Sequence, residues 1–276
     1  MIFNKNLIDS FVNVTSQAAI SCFEYLGKKD KNLADKAATD EMRKNLNLLN
    51  IDGKVVIGEG ELDEAPMLYI GEKLGTGKGP SLDIAVDPLE GTNFAAKNLP
   101  GALSVMAISE KGNLFNAPET YMNKLAVSSD VPYDATDLDY DVEKNVKNIA
   151  DAKKKKLDQI TVCILDRPRH KEIIEKLKNI NVNIKLITDG DVTGALLVTD
   201  KKYNVDAYFG IGGGPEGVLA ASALDAYNCQ FQGRLTAKLN NYANRLFKMY
   251  YFQNILKSDG FEIQPIGNIV QRSWIE

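Results

Sequence analysis

LDIAVDPLEGT (82–92) is the stretch on which the fold turns. The largely apolar run 82–86 reads as a buried strand. Asp87 closes it, and Pro88, with no N–H to give, is expected to end the ladder there. A helical first turn begun at Pro88 would bring Asp87 and Glu90 to one side, with Gly91 letting the backbone approach a ligand closely. Two carboxylates held that near each other repel or share a proton unless a cation lies between them, and hard divalent ions such as Mg²⁺ take oxygen ligands of this kind. A short helix starting near Gly91 would turn its unpaired amides, at Thr92 and Asn93, toward an anion such as phosphate. Carboxylates, cation and amides together suit phosphoryl transfer to water. The plain alternative is a strand that ends in an acidic turn.

Working back along the chain, VVIG (55–58) reads as a second strand and runs directly into GEGELDE (58–64). The glycines at 58 and 60 keep the backbone clear of side chains around Glu59 and Glu61, and Asp63 and Glu64 follow. A solvated acidic run is the bland reading, but such runs seldom begin on a buried strand and alternate with glycine. Upstream, apolar positions recur at helical spacing over 6–26 (Leu7, Phe11, Val14, Ala18) and over 31–49 (Ala34, Ala38, Met42, Leu46, Leu49). Two helices therefore open the fold.

Working forward, a strand is expected over 102–109, then the polar, acidic stretch DVPYDATDLDYD (130–141), which is the best junction between two halves. KKKK (153–156) reads as the solvated end of a helix. Strands at 160, 182 and 205 then alternate with helical segments, an α/β pattern that suits sheets covered on their faces. Arg167 and Arg169 flank Pro168 just after the strand ITVCIL (160–165), a good place to grip a sugar phosphate through bidentate guanidinium contacts, although two surface arginines would look the same. In TDGDV (188–192) the aspartates either accept hydrogen bonds from sugar hydroxyls or cap the helix that follows. His170 is the single histidine, which weakens any scheme built on an imidazole nucleophile or base. A surface helix residue and a substrate contact are both open readings for it.

A dinucleotide-binding turn competes for GIGGGPEGV (210–218), where Gly212, Gly214 and Gly217 fit GxGxxG between a strand and a helix. That fingerprint expects an acidic residue about 20 positions on, at the end of a further strand. After Asp225 none comes until Asp259, and the further strand is not expected either. Glu216 would also oppose a pyrophosphate unless a cation intervened, so Glu216 is read as a metal ligand.

Composition adds bounds. The 276 residues suffice for a large core, the apolar share of 44% is ordinary, and the net charge of −4 gives no basic excess for nucleic acid. No apolar run approaches a membrane span and the N-terminus lacks a signal-peptide segment, so a cytoplasmic protein is expected. Cys22, Cys163 and Cys229 lie apart in apolar or helical settings, which implies neither disulfides nor zinc.

GEGELDEAPMLYIGEKLGTG (58–77) followed by DIAVDPLEGT (83–92) resembles class II fructose-1,6-bisphosphatase, a bacterial branch of the lithium-sensitive, metal-dependent sugar phosphatases. The likeness runs on through NAPETYMNKL (116–125), RPRH (167–170), TDGDV and GIGGGPEGV, covering roughly 25 to 235. It implies a layered α/β/α/β/α sandwich with a metal site between two halves, 1–135 binding metal and 136–276 binding substrate. The implied ligands of Mg²⁺ or Mn²⁺ are Asp35, Glu59, Asp87, Glu90 and Glu216. The implied substrate contacts are Glu90, Gly91, Thr92, Tyr121, Arg167, Arg169, Asp189, Gly190, Asp191 and Gly213. Asp63 and Thr92 would position or deprotonate the attacking water, with Lys31 near the phosphate, and a water made acidic by metal can attack phosphorus in line without a covalent phosphoenzyme. Hydrolysis of fructose 1,6-bisphosphate in gluconeogenesis by a homodimer or homotetramer follows. Sedoheptulose bisphosphate, inositol phosphates, and a binding protein without turnover are the alternatives.

The likeness lapses at about Thr236, where TAKLNNYANRLFKMYYFQNILKSDG reads as helical and a short strand-like FEIQPI (261–266) follows. Lys36 stands where the family usually has glycine, either crowding the metal or helping to hold phosphate. Asn93 stands where a basic residue is common.

Overall fold

In a computed structural model of the chain, residues 3–58, 67–236 and the backbone of 269–274 are described. The expected α/β class holds: two five-stranded sheets form, one in each of two compact units. The first unit runs to Ala117 and includes the 269–274 strand, and the second begins at Pro118.

The first unit opens with α1 (Lys5–Cys22) and α2 (Lys31–Asn47). Each is capped by a polar side chain that accepts an otherwise unpaired amide, Asn4 from Leu7 and Asp30 from Leu33. Their apolar faces, Phe11, Val14 and Ala18 on one and Ala34, Ala38, Met42 and Leu46 on the other, enter one core. Strands β1 (Asp52–Ile57), β2 (Lys73–Leu74), β3 (Ser81–Glu90) and β4 (Leu103–Glu110) follow. β3 lies at the centre of the sheet, parallel to β1 and antiparallel to β4, and its interior residues are buried, which is why the run 82–86 is nearly continuous in apolar residues.

Pro88 does not end this strand. Asp87 pairs with Val105 and Glu90 with Leu103, so three steps on β3 match two on β4. The extra residue is a bulge, and a bulge is where a strand tolerates a residue that cannot donate. Glu90 is therefore a strand residue, and the helical turn expected from Pro88 instead begins at Thr92 as α3 (Thr92–Ala96). Gly91 makes the corner at φ 77°, and a Cβ there would lie 2.9 Å from the Phe94 ring. Gly91→Ala is expected to lower stability by about 1–2 kcal/mol through left-handed strain, read as an earlier denaturant midpoint. An unchanged midpoint would contradict the strain.

The second unit contains β5 (Tyr121–Val127), α4 (Val142–Lys153), β6 (Thr161–Leu165), α5 (Lys171–Asn179), β7 (Asn183–Ile187), α6 (Asp191–Leu196), β8 (Ala207–Gly213), α7 (Gly214–Ala226) and β9 (Gln230–Thr236). The sheet order is β7-β6-β8-β5-β9, with β7, β6 and β8 mutually parallel and β5 antiparallel to both β8 and β9. The carboxyl ends of three strands thus share one edge, the place where open parallel sheets carry their ligands.

Three further expectations fail. A strand does follow α7, but β9 pairs antiparallel with β5, so β8, α7 and β9 are not a parallel crossover of the nucleotide-binding kind. The acidic stretch 130–141 is not the junction, because side chains of the second unit hold it: Gln230 donates to the Val131 carbonyl, Gln232 to Thr136 at 2.8 Å and Asn145 to Asp137 at 2.8 Å. The lysine run is not simply solvated, since Lys153 and Lys155 reach the buried Asp206 carboxylate at 3.3 and 2.7 Å.

The three cysteines are free and buried, as expected, and burial pushes the Cys22 and Cys163 thiols up to about 12. Among the described residues no helix is long and apolar enough to cross a membrane. Of the tail, 237–268 with FEIQPI lies outside the described residues, while the 269–274 strand pairs antiparallel along β4 from Leu103 to Ile108.

Candidate active site

In the first unit, β3 and α2 carry the acidic residues. Asp87 is half-buried before the bulge, and its Oδ1 accepts the Leu89 N–H at 3.2 Å. Glu90 follows at 6% exposure, with Gly91 and the half-buried Thr92 next along the chain. On α2, Lys31 is the exposed first residue and Asp35 lies half-buried one turn on, close enough to the Cys22 thiol to add to its upward shift. Lys36 pairs with Asp40 one turn on along the exposed face of the same helix. Glu59 and Asp63 lie outside the described residues.

Two other carboxylates of this acidic stretch have structural work. Asp83 is buried in β3 and accepts the Gly112 N–H at 2.7 Å, closing the turn after β4. Glu72 takes both the Nε and an Nη of Arg43, at 2.7 and 3.1 Å. Among the described residues no group of three His, Cys, Asp or Glu side chains is arranged to hold a metal ion. Asp35, Asp87 and Glu90 therefore do not make a three-carboxylate cluster by themselves. Their chemistry nonetheless fits a hard divalent cation, since every donor is a carboxylate oxygen.

In the second unit the expected substrate contacts gather on the shared strand edge. Arg167, after β6, donates to the Thr188 carbonyl at 2.7 Å and lies 3.5 Å from the Asp189 carboxylate, after β7. Arg169 donates from Nε to the Ile211 carbonyl of β8 at 2.5 Å, and its guanidinium carbon lies 5.2 Å from the ring centre of Tyr121, the first residue of β5. Gly190 takes φ 82° and lets the chain enter α6. Asp191 is then a helix residue, not its cap, and is 9% exposed.

The Asp191 carboxylate receives the Lys124 ammonium of β5 and the Tyr208 hydroxyl of β8. It also lies over Gly212, where a Cβ would come within 2.1 Å of Oδ2. Gly213 serves Glu216 in the same way, at 1.9 Å from its Oε2. Two of the glycines in the cluster that imitates a nucleotide motif thus make room for carboxylates. Lys124 and Tyr208 were not among the expected site residues. Their one sequence signal is a lysine inside the strand YMNKLAV, where lysine is uncommon.

The family model for bacterial fructose-1,6-bisphosphatase, glpX-encoded, matches residues 5–259. The chain is 46% identical over 234 residues to fructose-1,6-bisphosphatase 1 class 2 of Escherichia coli strain K12, covering 85% of this chain and 69% of the relative. The chain belongs to the class 2 fructose-1,6-bisphosphatase family. A class 2 fructose-1,6-bisphosphatase of Haemophilus influenzae is 44% identical over 232 residues, with 84% and 69% of the two chains covered. A Prochlorococcus marinus relative, strain AS9601, named D-fructose 1,6-bisphosphatase class 2/sedoheptulose 1,7-bisphosphatase, is 42% identical over 232 residues, with 84% and 69% covered. Among solved structures, an extragenic suppressor from Pyrococcus furiosus aligns with a TM-score of 0.33 at 14% identity, covering 69% of this chain and 67% of that one, a likeness too loose to inform the fold. Every candidate site residue, from Lys31 to Glu216, falls inside the stretch matched to the class 2 fructose-1,6-bisphosphatase model.

Proposed function

We propose that this chain is a metal-dependent phosphatase that hydrolyses the 1-phosphate of fructose 1,6-bisphosphate. The observation that carries the reading is the 46% identity to a class 2 fructose-1,6-bisphosphatase over 85% of the chain. The proposed ligands of Mg²⁺ or Mn²⁺ are Asp35, Glu59, Asp87, Glu90 and Glu216. A divalent cation, once bound, neutralises charge on the phosphoryl oxygens and makes a coordinated water more acidic. The side chains do the rest. Asp63 and Thr92 position the attacking water or help to deprotonate it, while Lys31 stands near the phosphate.

On the second unit, Arg167 and Arg169 supply cationic hydrogen-bond donors for substrate phosphate. Asp189 and Asp191 accept from sugar hydroxyls, with Tyr121, Gly190 and Gly213 completing the contact. Each anionic acceptor at this edge sits beside a cation, Asp189 by Arg167 and Asp191 by Lys124, which moderates its repulsion of a bisphosphate. Three buried free thiols suit a reducing cytoplasm.

Phosphate release from fructose 1,6-bisphosphate is expected with Mg²⁺ or Mn²⁺ and is expected to vanish with excess chelator, returning when the ion is restored. Release that is indifferent to chelator would defeat the metal assignment. The name of the Prochlorococcus relative supports sedoheptulose 1,7-bisphosphate as a second substrate, so the same assay on that sugar separates a dedicated enzyme from a dual one. Calorimetric binding of either sugar without release would instead favour a binding protein.

A further inference from the structure

We propose that His170 is a positioning residue, whose imidazole locks the Arg167–Arg169 turn onto β8 and so holds the Arg169 guanidinium in one orientation for the sugar bisphosphate. The proposal deepens the function just argued and rests on Arg169 being a substrate contact.

His170 is fully buried. Its Nδ1 lies 2.7 Å from the Leu165 carbonyl at the end of β6, and its Nε2 lies 2.8 Å from the Ile211 amide nitrogen. Nε2 also lies 3.2 Å from the Ile211 carbonyl, but the Ile211 N–H, which can only donate, is closer, and Arg169 already occupies that carbonyl at 2.5 Å. Nε2 is therefore the acceptor, and the ring hydrogen sits on Nδ1, facing the Leu165 carbonyl. The ring is therefore neutral and in a single tautomer. Burial lowers its pKa, and the nearby Arg169 charge acts in the same direction.

The same Ile211 residue is held at its other end by the neighbouring side chain. Arg169 Nε donates to the Ile211 carbonyl at 2.5 Å. The parallel pairing of β6 with β8 is registered at Val162 with Ala207 and Cys163 with Tyr208. Farther along β8, His170 and Arg169 take the Ile211 N–H and C=O between them. Once Nε is committed, the Nη hydrogens of an exposed guanidinium, stacked on Tyr121 at 5.2 Å, remain to meet an anion. An arginine held in this way loses less side-chain entropy when substrate arrives.

Two variants separate the roles of the two ring nitrogens. His170→Asn keeps a donor near Nδ1 but lacks the acceptor at Nε2, whereas His170→Gln can place an acceptor near Nε2. His170→Asn is expected to raise KM for fructose 1,6-bisphosphate about tenfold with kcat within about twofold, because binding is lost equally in ground and transition states. His170→Gln is expected to recover most of that loss. A folded His170→Asn with the original KM, or a kcat loss that outweighs the KM change, would overturn the proposal.

As the chain has one histidine, ¹⁵N resonances of histidine-labelled protein report this ring alone. They should show Nδ1–H with Nε2 bare at neutral pH, and an Nε2–H tautomer or an imidazolium there would overturn the proposal even if His170→Asn failed to fold. No turnover in the unsubstituted protein would sink the proposed function instead, since the tautomer is read without substrate.

Discussion

Asp87→Asn is expected to cut phosphate release from fructose 1,6-bisphosphate by roughly a thousandfold or more, about 4 kcal/mol of barrier, while leaving the fold in place. Asp87 is the last β3 residue before the register slips against β4, and its Oδ1 accepts the Leu89 N–H at 3.2 Å across the bulge. Asparagine keeps an oxygen in that place and almost the same volume. What it removes is the formal charge, and a hard divalent cation is held chiefly by charged oxygens. A melt within a few degrees of the unsubstituted protein, together with lost release that excess Mn²⁺ only partly restores, is the expected pattern. Undiminished turnover would mean that the cation is held elsewhere.

Lys124→Met should produce the largest loss of stability, about 3–5 kcal/mol, because it strands a buried carboxylate. The Lys124 side chain is 1% exposed and that of Asp191 10%, so neither charge can turn to water for compensation. The Tyr208 hydroxyl remains on Asp191 but carries no formal charge. The double variant Lys124→Met with Asp191→Asn removes both charges and should regain most of the stability while still binding substrate poorly. Urea denaturation of the two single variants and the double variant reads the coupling directly. A loss below about 1 kcal/mol in Lys124→Met would show that the pair is hydrated and that the burial argument is mistaken.

Features carried by local pattern were legible in the chain. The helical spacing of Phe11, Val14 and Ala18, and of Ala34, Ala38 and Met42, predicts α1 and α2 because a helix is built from neighbours three and four apart. The short apolar runs at 55, 82, 160 and 182 became β1, β3, β6 and β7 for a similar reason. Pro88 misled because the rule it obeys concerns a regular ladder, and the bulge that excuses it depends on where Val105 and Leu103 lie across the sheet. Asp83 and Glu72 lie in the same carboxylate-rich stretch of sequence as Asp87 and Glu90. Only their partners, the Gly112 amide and Arg43, reveal them as structural.

Sequence by itself determined the α/β class, the two opening helices and the family, since all three follow from short motifs and periodicities that each segment carries alone. The tertiary structure decided which strands lie side by side, that β9 returns antiparallel to β5, and that Lys124, Asp191 and Tyr208 meet in one buried group. It also turned a histidine with two open readings into a buried clamp between Leu165 and Ile211. The physical reason is common to these cases. Burial and hydrogen-bond partnership belong to pairs of residues far apart in the chain, and neither partner's local sequence encodes the distance to the other.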